Sequence, residues 1–146
     1  MSFTASKFFI CLFLILGSQA TYSQSAYGGK GENRLNTAWA YYGRGNGLSI
    51  LYDHGFSDWF SAGAGVELYF IESERETSFF GIMDFHLQQA LDLPERLDLY
   101  PGTEIGHFNR NFALYPYLGV SWALSEEFGL FTELGERGTL GVYFNF

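Results

Sequence analysis

Apolar and polar residues alternate with a period of two along most of this chain. The alternation is plainest over 59–71, where Phe60, Ala62, Ala64, Val66, Leu68 and Phe70 interleave with Ser61, Gly63, Gly65, Glu67 and Tyr69. Successive side chains of an extended strand point to opposite faces, so this stretch predicts a strand with one apolar face. The last residues repeat the pattern, with Leu140, Val142, Phe144 and Phe146 on one face and Gly141, Tyr143 and Asn145 on the other. Read this way, the chain predicts eight strands, at 34–42, 48–54, 59–71, 78–89, 97–106, 112–124 and 128–134 and a last one ending at 146. The connections fall at 43–47, whose Asn46-Gly47 pair suits a tight hairpin, and at 55–58, 72–77, 91–96, 107–111, 125–127 and 135–138. A short helix over 88–97 is the alternative reading there, because Leu, Ala, Gln and Glu are good helix formers. Pro101 and Pro116 each remove a ladder donor and mark expected bulges.

The second face of these strands carries Gly63, Gly65, Gly102, Gly119, Gly129 and Gly141. A soluble β-sandwich that binds an apolar ligand is the rival architecture, but its polar face would meet water and carry Lys, Thr and Glu. Small residues suit a crowded, narrow interior, such as that of a barrel of eight strands. The reading is therefore all-β, an eight-stranded antiparallel up-and-down transmembrane β-barrel. Its even strand count sets both ends of the strand series on one side. Tyr41, Tyr42, Tyr69, Phe70, Phe79, Phe80 and Phe112 gather near one predicted rim, and Trp59, Phe60, Trp122, Phe128 and Phe146 near the other, as two interfacial girdles would.

Residues 1–20 read as a signal peptide: one basic residue, Lys7, precedes the apolar run 8–17 and then Ser18-Gln19-Ala20. That run is shorter than the roughly 20 residues of a spanning helix. It holds the single cysteine, Cys11, so the expected mature chain has no thiol. Residues 21–33, rich in Gly, Ser and polar side chains, form an N-terminal lead-in, and 34–146 form one barrel domain. A formal net charge of −8 argues against nucleic acid, which rewards clustered Lys and Arg. The expected address is the bacterial outer membrane. The expected partners are its lipid and, during biogenesis, the barrel assembly machinery, for which Leu140, Val142, Phe144 and Phe146 resemble the C-terminal signal.

Candidate chemistry lies on the inner face, where Arg34, Glu67, Asp84, His86, Glu104 and Glu133 form an expected lumen polar network, with Arg34 the nearest cation for the carboxylates. Asp84 and His86 share a face two residues apart and are placed to hydrogen-bond. No Gly-x-Ser-x-Gly motif accompanies His54, His86 and His107 or Asp53, Asp84, Ser49 and Ser78, so no catalytic residue is assigned and no enzyme is expected. The acidic stretch 72–76 lacks calcium-loop spacing, and Gly43-x-Gly45-x-Gly47 precedes no helix, so neither a metal nor a cofactor is expected. A structural or interaction role without catalysis is the leading function. A narrow, porin-like pore, a small apolar-ligand carrier and a lipid-modifying enzyme are the alternatives; the ligand is unknown.

The stretches 26–32 (Ala-Tyr-Gly-Gly-Lys-Gly-Glu), 45–55 and 93–102 (Leu-Pro-Glu-Arg-Leu-Asp-Leu-Tyr-Pro-Gly) resemble an uncharacterised family of small outer-membrane β-barrel proteins from Bacteroidota. The resemblance covers most of the chain after residue 20. It implies fold and location and transfers no functional residue. The outer loops are shorter than that family leads one to expect.

Overall fold

The structure, a computed structural model, describes residues 25–43, 46–71, 74–108 and 111–146, with backbone only at 71, 74, 75 and 108. The expected signal peptide, the first part of the lead-in and the loop residues 44, 45, 72, 73, 109 and 110 lie outside the described residues. Eight strands close into one barrel: β1 (Asn33–Tyr42), β2 (Asn46–Ser57), β3 (Phe60–Ile71), β4 (Glu74–Phe85), β5 (Leu97–Phe108), β6 (Asn111–Ala123), β7 (Phe128–Gly135) and β8 (Gly138–Asn145). Each pairs antiparallel with its sequence neighbours, and β8 returns to β1 through a ladder that opens at Arg34 and Asn145. The start of β1 and the end of β8 therefore share one end of the barrel, here called the near end.

Several boundaries differ from the sequence reading. The Asn46-Gly47 pair lies inside β2 and not in the turn. Positive φ falls on Gly43 (102°), and Gly47 faces inward opposite Tyr69. The break expected at 55–58 shrinks because β2 runs on to Ser57 through a register shift after Gly55. No helix forms over 88–97. One turn closes with the Leu91 N–H donating to the Leu87 carbonyl (2.9 Å), and the chain then reverses at Asp92, with φ 51°, ahead of Pro94. The prolines mark no bulge: both lie within the continuous β5–β6 ladder, Pro101 opposite Leu118 and Pro116 opposite Thr103. On their other sides the β4–β5 ladder stops at Gly102, beside Pro101, and the β6–β7 ladder starts at Tyr117, beside Pro116.

Among the described side chains the outward positions are apolar, aromatic or small and neutral, apart from Asn33, Asn46, His54 and His107 at the strand ends. Leu35, Trp39, Ile50, Leu68, Phe79, Met83, Leu114, Leu118, Leu130 and Leu140 are exposed, Phe79 by 69% and Phe112 by 76%. Among the described outward side chains none is Asp, Glu, Lys or Arg. The inside is the reverse, with Glu67 and Asp98 at 0% exposure and Arg34, Asp53, Asp84, Glu104 and Arg137 buried. Tyr69 and Phe80, expected in a rim girdle, also point inward. With Leu51 and Ile82, Phe80 makes a small apolar cluster inside the barrel.

The lumen is packed by a simple rule of register. Tyr69 stands directly opposite Gly47, Phe80 opposite Gly65 and Gly106, Tyr100 opposite Gly119, Tyr117 opposite Gly102, Phe131 opposite Gly141 and Tyr143 opposite Gly129. At most of these glycines a methyl group would run into the ring across the ladder. Each ring lies over a strand with no side chain at that point, which lets eight strands hold six large aromatics inside.

Candidate functional site: the barrel lumen

At the near end, His86 follows directly on β4, and its backbone N–H donates to the Trp59 carbonyl at 2.9 Å. Its Nδ1 lies 2.6 Å from Asp98 Oδ2 on β5 and its Nε2 lies 2.9 Å from Ser61 Oγ on β3. Ser61 in turn donates to Asp53 Oδ2 (2.9 Å), and the Gln88 N–H donates to the other Asp98 oxygen (3.1 Å). The result is a buried chain of four side chains drawn from β2, β3, β5 and the β4–β5 connection. Tyr27, from the lead-in, stacks on the imidazole with ring centroids 3.4 Å apart and planes 6° from parallel. Burial pushes the Tyr27 phenol up, so it stays a neutral donor.

Beside this chain Arg34 donates to Asn145 Oδ1 (2.9 Å), to the Ala26 carbonyl and to Glu32 Oε1 (2.8 Å), and its guanidinium sits 4.1 Å over the Tyr143 ring. Burial raises the Glu32 carboxyl above the usual glutamate range, with Arg34 and the Gly28 N–H pulling it back part of the way.

Midway along the barrel, phenols meet carboxylates. Tyr117 donates to Asp84 Oδ1 (2.5 Å); Tyr100 donates to Glu133 Oε1 (3.3 Å), and Thr139 donates to Glu133 Oε2 (3.0 Å). At the far end Arg137 donates through Nη1 to Glu67 (2.6 Å) and through Nη2 and Nε to Glu104 (2.7 and 3.1 Å). Tyr69 donates to the second Glu67 oxygen at 2.6 Å. A cavity of about 20 Å³ lies between these levels, bordered by Asn36, Leu51, Phe80, Phe131, Glu133 and Arg137. It has room for about one water molecule.

The six residues expected in the lumen all point inward, but they do not form one network. Glu67 and Glu104 share Arg137, Glu133 and Asp84 bond separate tyrosines, and His86 belongs to the near-end chain. Asp84 and His86 are not hydrogen-bonded to each other. Two residues along a strand advance roughly 6.6 Å, and His86 turns to Asp98 on the neighbouring strand β5. Arg34 pairs with the lead-in and with β8, so the cation between the far-end carboxylates is Arg137. By sequence Arg137 falls in a link, though an arginine in a two-residue connection between glycines, opposite an excess of inward acids, is a usable signal. Asp98, Ser61 and Asp53 escape the sequence reading as members of this network, because their meeting with His86 depends on the register of the neighbouring strands β2, β3 and β5 around the end of β4. Asp53 Oδ1, Ser121 Oγ and Tyr143 Oη are buried without a hydrogen-bond partner among the described residues. Those residues also hold no group of three or more His, Cys, Asp or Glu placed to share a metal ion.

No known family profile matches the chain, and no curated protein matches it. Among solved structures it is similar to a de novo designed transmembrane β-barrel, at 11% sequence identity and a TM-score of 0.56, over 80% of this chain and 97% of the designed one. The likeness is one of fold, a small closed barrel of eight strands.

Proposed function

We propose that this protein is a small outer-membrane β-barrel with a structural or interaction role and no catalysis, exported by the segment 1–20 and related to the uncharacterised Bacteroidota family that its sequence resembles. The observation that carries the reading is the inverted distribution of chemistry: carboxylates and guanidinium groups are inside, and an uncharged girdle of Leu, Ile, Phe and Trp is outside. In water such an exterior is costly, at about 25 cal/mol for each Å² of apolar surface left wet. Facing lipid tails it costs little, and closure leaves no unpaired strand edge at the β1–β8 seam.

The interior favours a plug over a pore or carrier. Its charged side chains are hydrogen-bonded to other side chains in the lumen, and the described mid-barrel cavity has room for about a single water. The Ser61–His86–Asp98 alignment has the order of a nucleophile, base and orienting acid. Its serine, however, donates to Asp53 and is fully buried, and Tyr27 covers the imidazole, which favours a structural network over a hydrolase. The experiment is cell fractionation followed by gel electrophoresis of the membrane fraction with and without boiling, for the full chain and for a chain lacking Phe146. The expected result is a heat-modifiable outer-membrane protein whose assembly weakens without Phe146. A soluble protein indifferent to both treatments would overturn the reading.

A further inference from the structure

The near-end mouth is built around a piece of extended chain that the barrel does not need in order to close. All eight ladders lie within 33–145, and residues 25–32 belong to none of them. Yet the mouth holds Ala26 and Tyr27 on every side. The Ala26 N–H donates to the Glu95 carbonyl at 2.7 Å, and Arg34 donates to the Ala26 carbonyl, so this backbone unit is gripped from both directions. Ala26 is fully buried, which leaves no room for a larger side chain. The Tyr27 ring lies flat on His86, and its hydroxyl reaches two carbonyls at the β2–β3 turn, Ser57 at 2.8 Å and Phe60 at 3.0 Å.

Beyond Tyr27 the segment turns on itself, with the Gly28 N–H donating to Glu32 Oε2 (2.6 Å), the Glu32 N–H to the Gly29 carbonyl (3.2 Å) and the Lys30 N–H to Asp58 Oδ1 (3.3 Å). Gly29 and Gly31 both take positive φ, 85° and 90°, a conformation that glycine adopts without steric cost. One backbone bond from Gly31 to Gly55 and its return from Gly55 to Glu32 tie this stretch to β2 before β1 begins. The segment is therefore a short occupant seated in the mouth by Ala26 and Tyr27, and a turn with two positive-φ glycines joins it to β1.

We propose that the near-end mouth is a peptide-binding site selective for a small residue followed by tyrosine on an extended backbone, occupied in cis by Ala26-Tyr27 and open to a second segment of the same chemistry when 25–32 swings out on Gly29 and Gly31. The specificity follows from the contacts. The stacked ring and its hydroxyl select a phenol, the closed space around Ala26 selects a small side chain, and the paired backbone bonds select extended chain. The inference stands on the fold and holds whether or not the barrel spans a membrane.

The test uses the full chain carrying Tyr27→Ala, in which the resident segment has lost its anchor, and a fluorescent peptide with the sequence of residues 25–32. A saturable rise in anisotropy is expected. It should be roughly ten-fold weaker for the same peptide with its tyrosine replaced by alanine, since a buried stacked ring with a satisfied hydroxyl is worth at least that factor. Binding to the unsubstituted chain should also be weaker, because its site is filled. No binding, or equal binding of the two peptides, overturns the proposal. Should the variant not fold, hydrogen exchange on the unsubstituted chain decides. Exchange of the Ala26 and Gly31 amides well ahead of the β1–β8 ladder supports a displaceable occupant; exchange only together with that ladder overturns it.

Discussion

The ring of Tyr100 on β5 lies over Gly119, its direct partner on β6, and a methyl group added at Gly119 would occupy the space of that ring. The same relationship joins Tyr143 to Gly129 and Tyr117 to Gly102. Glycine weakens a strand taken alone; here it is the recess that lets the opposite ring lie over the strand, and Tyr100 and Tyr117 carry their hydroxyls on to Glu133 and Asp84.

Gly119→Ala is accordingly expected to destabilise the barrel by about 1–3 kcal/mol, the range for forcing a methyl into a packed interior. Gly81 supplies the control. It faces outward, and a methyl there would meet the Gly63 and Ile105 carbonyls at 3.5 and 3.9 Å, ordinary contacts. Urea unfolding of both variants in the same detergent, followed by heat-modifiable migration, separates the two cases. Equal tolerance at both positions would show that the ring stacking is incidental.

Arg137 lies 2.6 Å from Glu67 and 2.7 Å from Glu104, with all three side chains buried. Removing the guanidinium leaves two buried carboxylates facing each other. Arg137→Met should therefore cost about 3–5 kcal/mol, the scale for breaking a buried pair by deleting one partner. Adding Glu67→Gln and Glu104→Gln to it should restore much of the loss, because the carboxylates that have lost the guanidinium go with them. Arg137→Lys should fall between, since a point charge cannot reach both carboxylates through separate nitrogens. Denaturant midpoints for the four chains test this; a triple variant no more stable than Arg137→Met would sink the charge argument.

How far these features could be read from the sequence depends on whether they follow from parity or from adjacency across the barrel. Parity along a strand separates Leu118, Val120 and Trp122 from Tyr117, Gly119 and Ser121 without further information, and it puts Glu67, Asp84, Glu104 and Glu133 inside. It is weaker where both faces are apolar. Phe79 and Phe80 look alike in sequence, which assigns Phe80 to a rim although it points into the lumen beside Ile82. Adjacency is not written locally. The meeting of His86 with Asp98 and Ser61 joins a connection to two strands, and Arg137 finds Glu67 over 70 residues of chain. The first requires the exact register of β3, β4 and β5, and the second requires the closed order β1 to β8.

Exterior chemistry gives a third expectation. Ile50 lies near the middle of β2 and is exposed on the outer face. If that face meets hydrocarbon, Ile50→Lys should cost about 2–4 kcal/mol in a bilayer, the scale for a basic residue at the midplane of a barrel. Glu126→Lys, in the exposed connection between β6 and β7, should cost little. Refolding yields into lipid vesicles test the pair, and equal yields would count against a lipid-facing exterior.

The lead-in supplies a pH dependence. Burial raises the Glu32 carboxyl above its ordinary value near 4.5, the effect of Arg34 notwithstanding, and its Oε2 accepts from the Gly28 N–H at 2.6 Å. A carboxyl raised in the closed state binds its proton more tightly there than in the open state. Its contribution to closure is complete below pH 4.5 and is lost as pH rises through the raised value. The seated segment should therefore open more readily at neutral pH than at pH 4. Exchange of the Gly31 amide, corrected for the intrinsic pH dependence of exchange, reports this directly. Glu32→Gln removes the titrating group, so the corrected opening constant of that variant should be flat from pH 4 to pH 7. A pH slope unchanged by Glu32→Gln would overturn the assignment of the effect to Glu32.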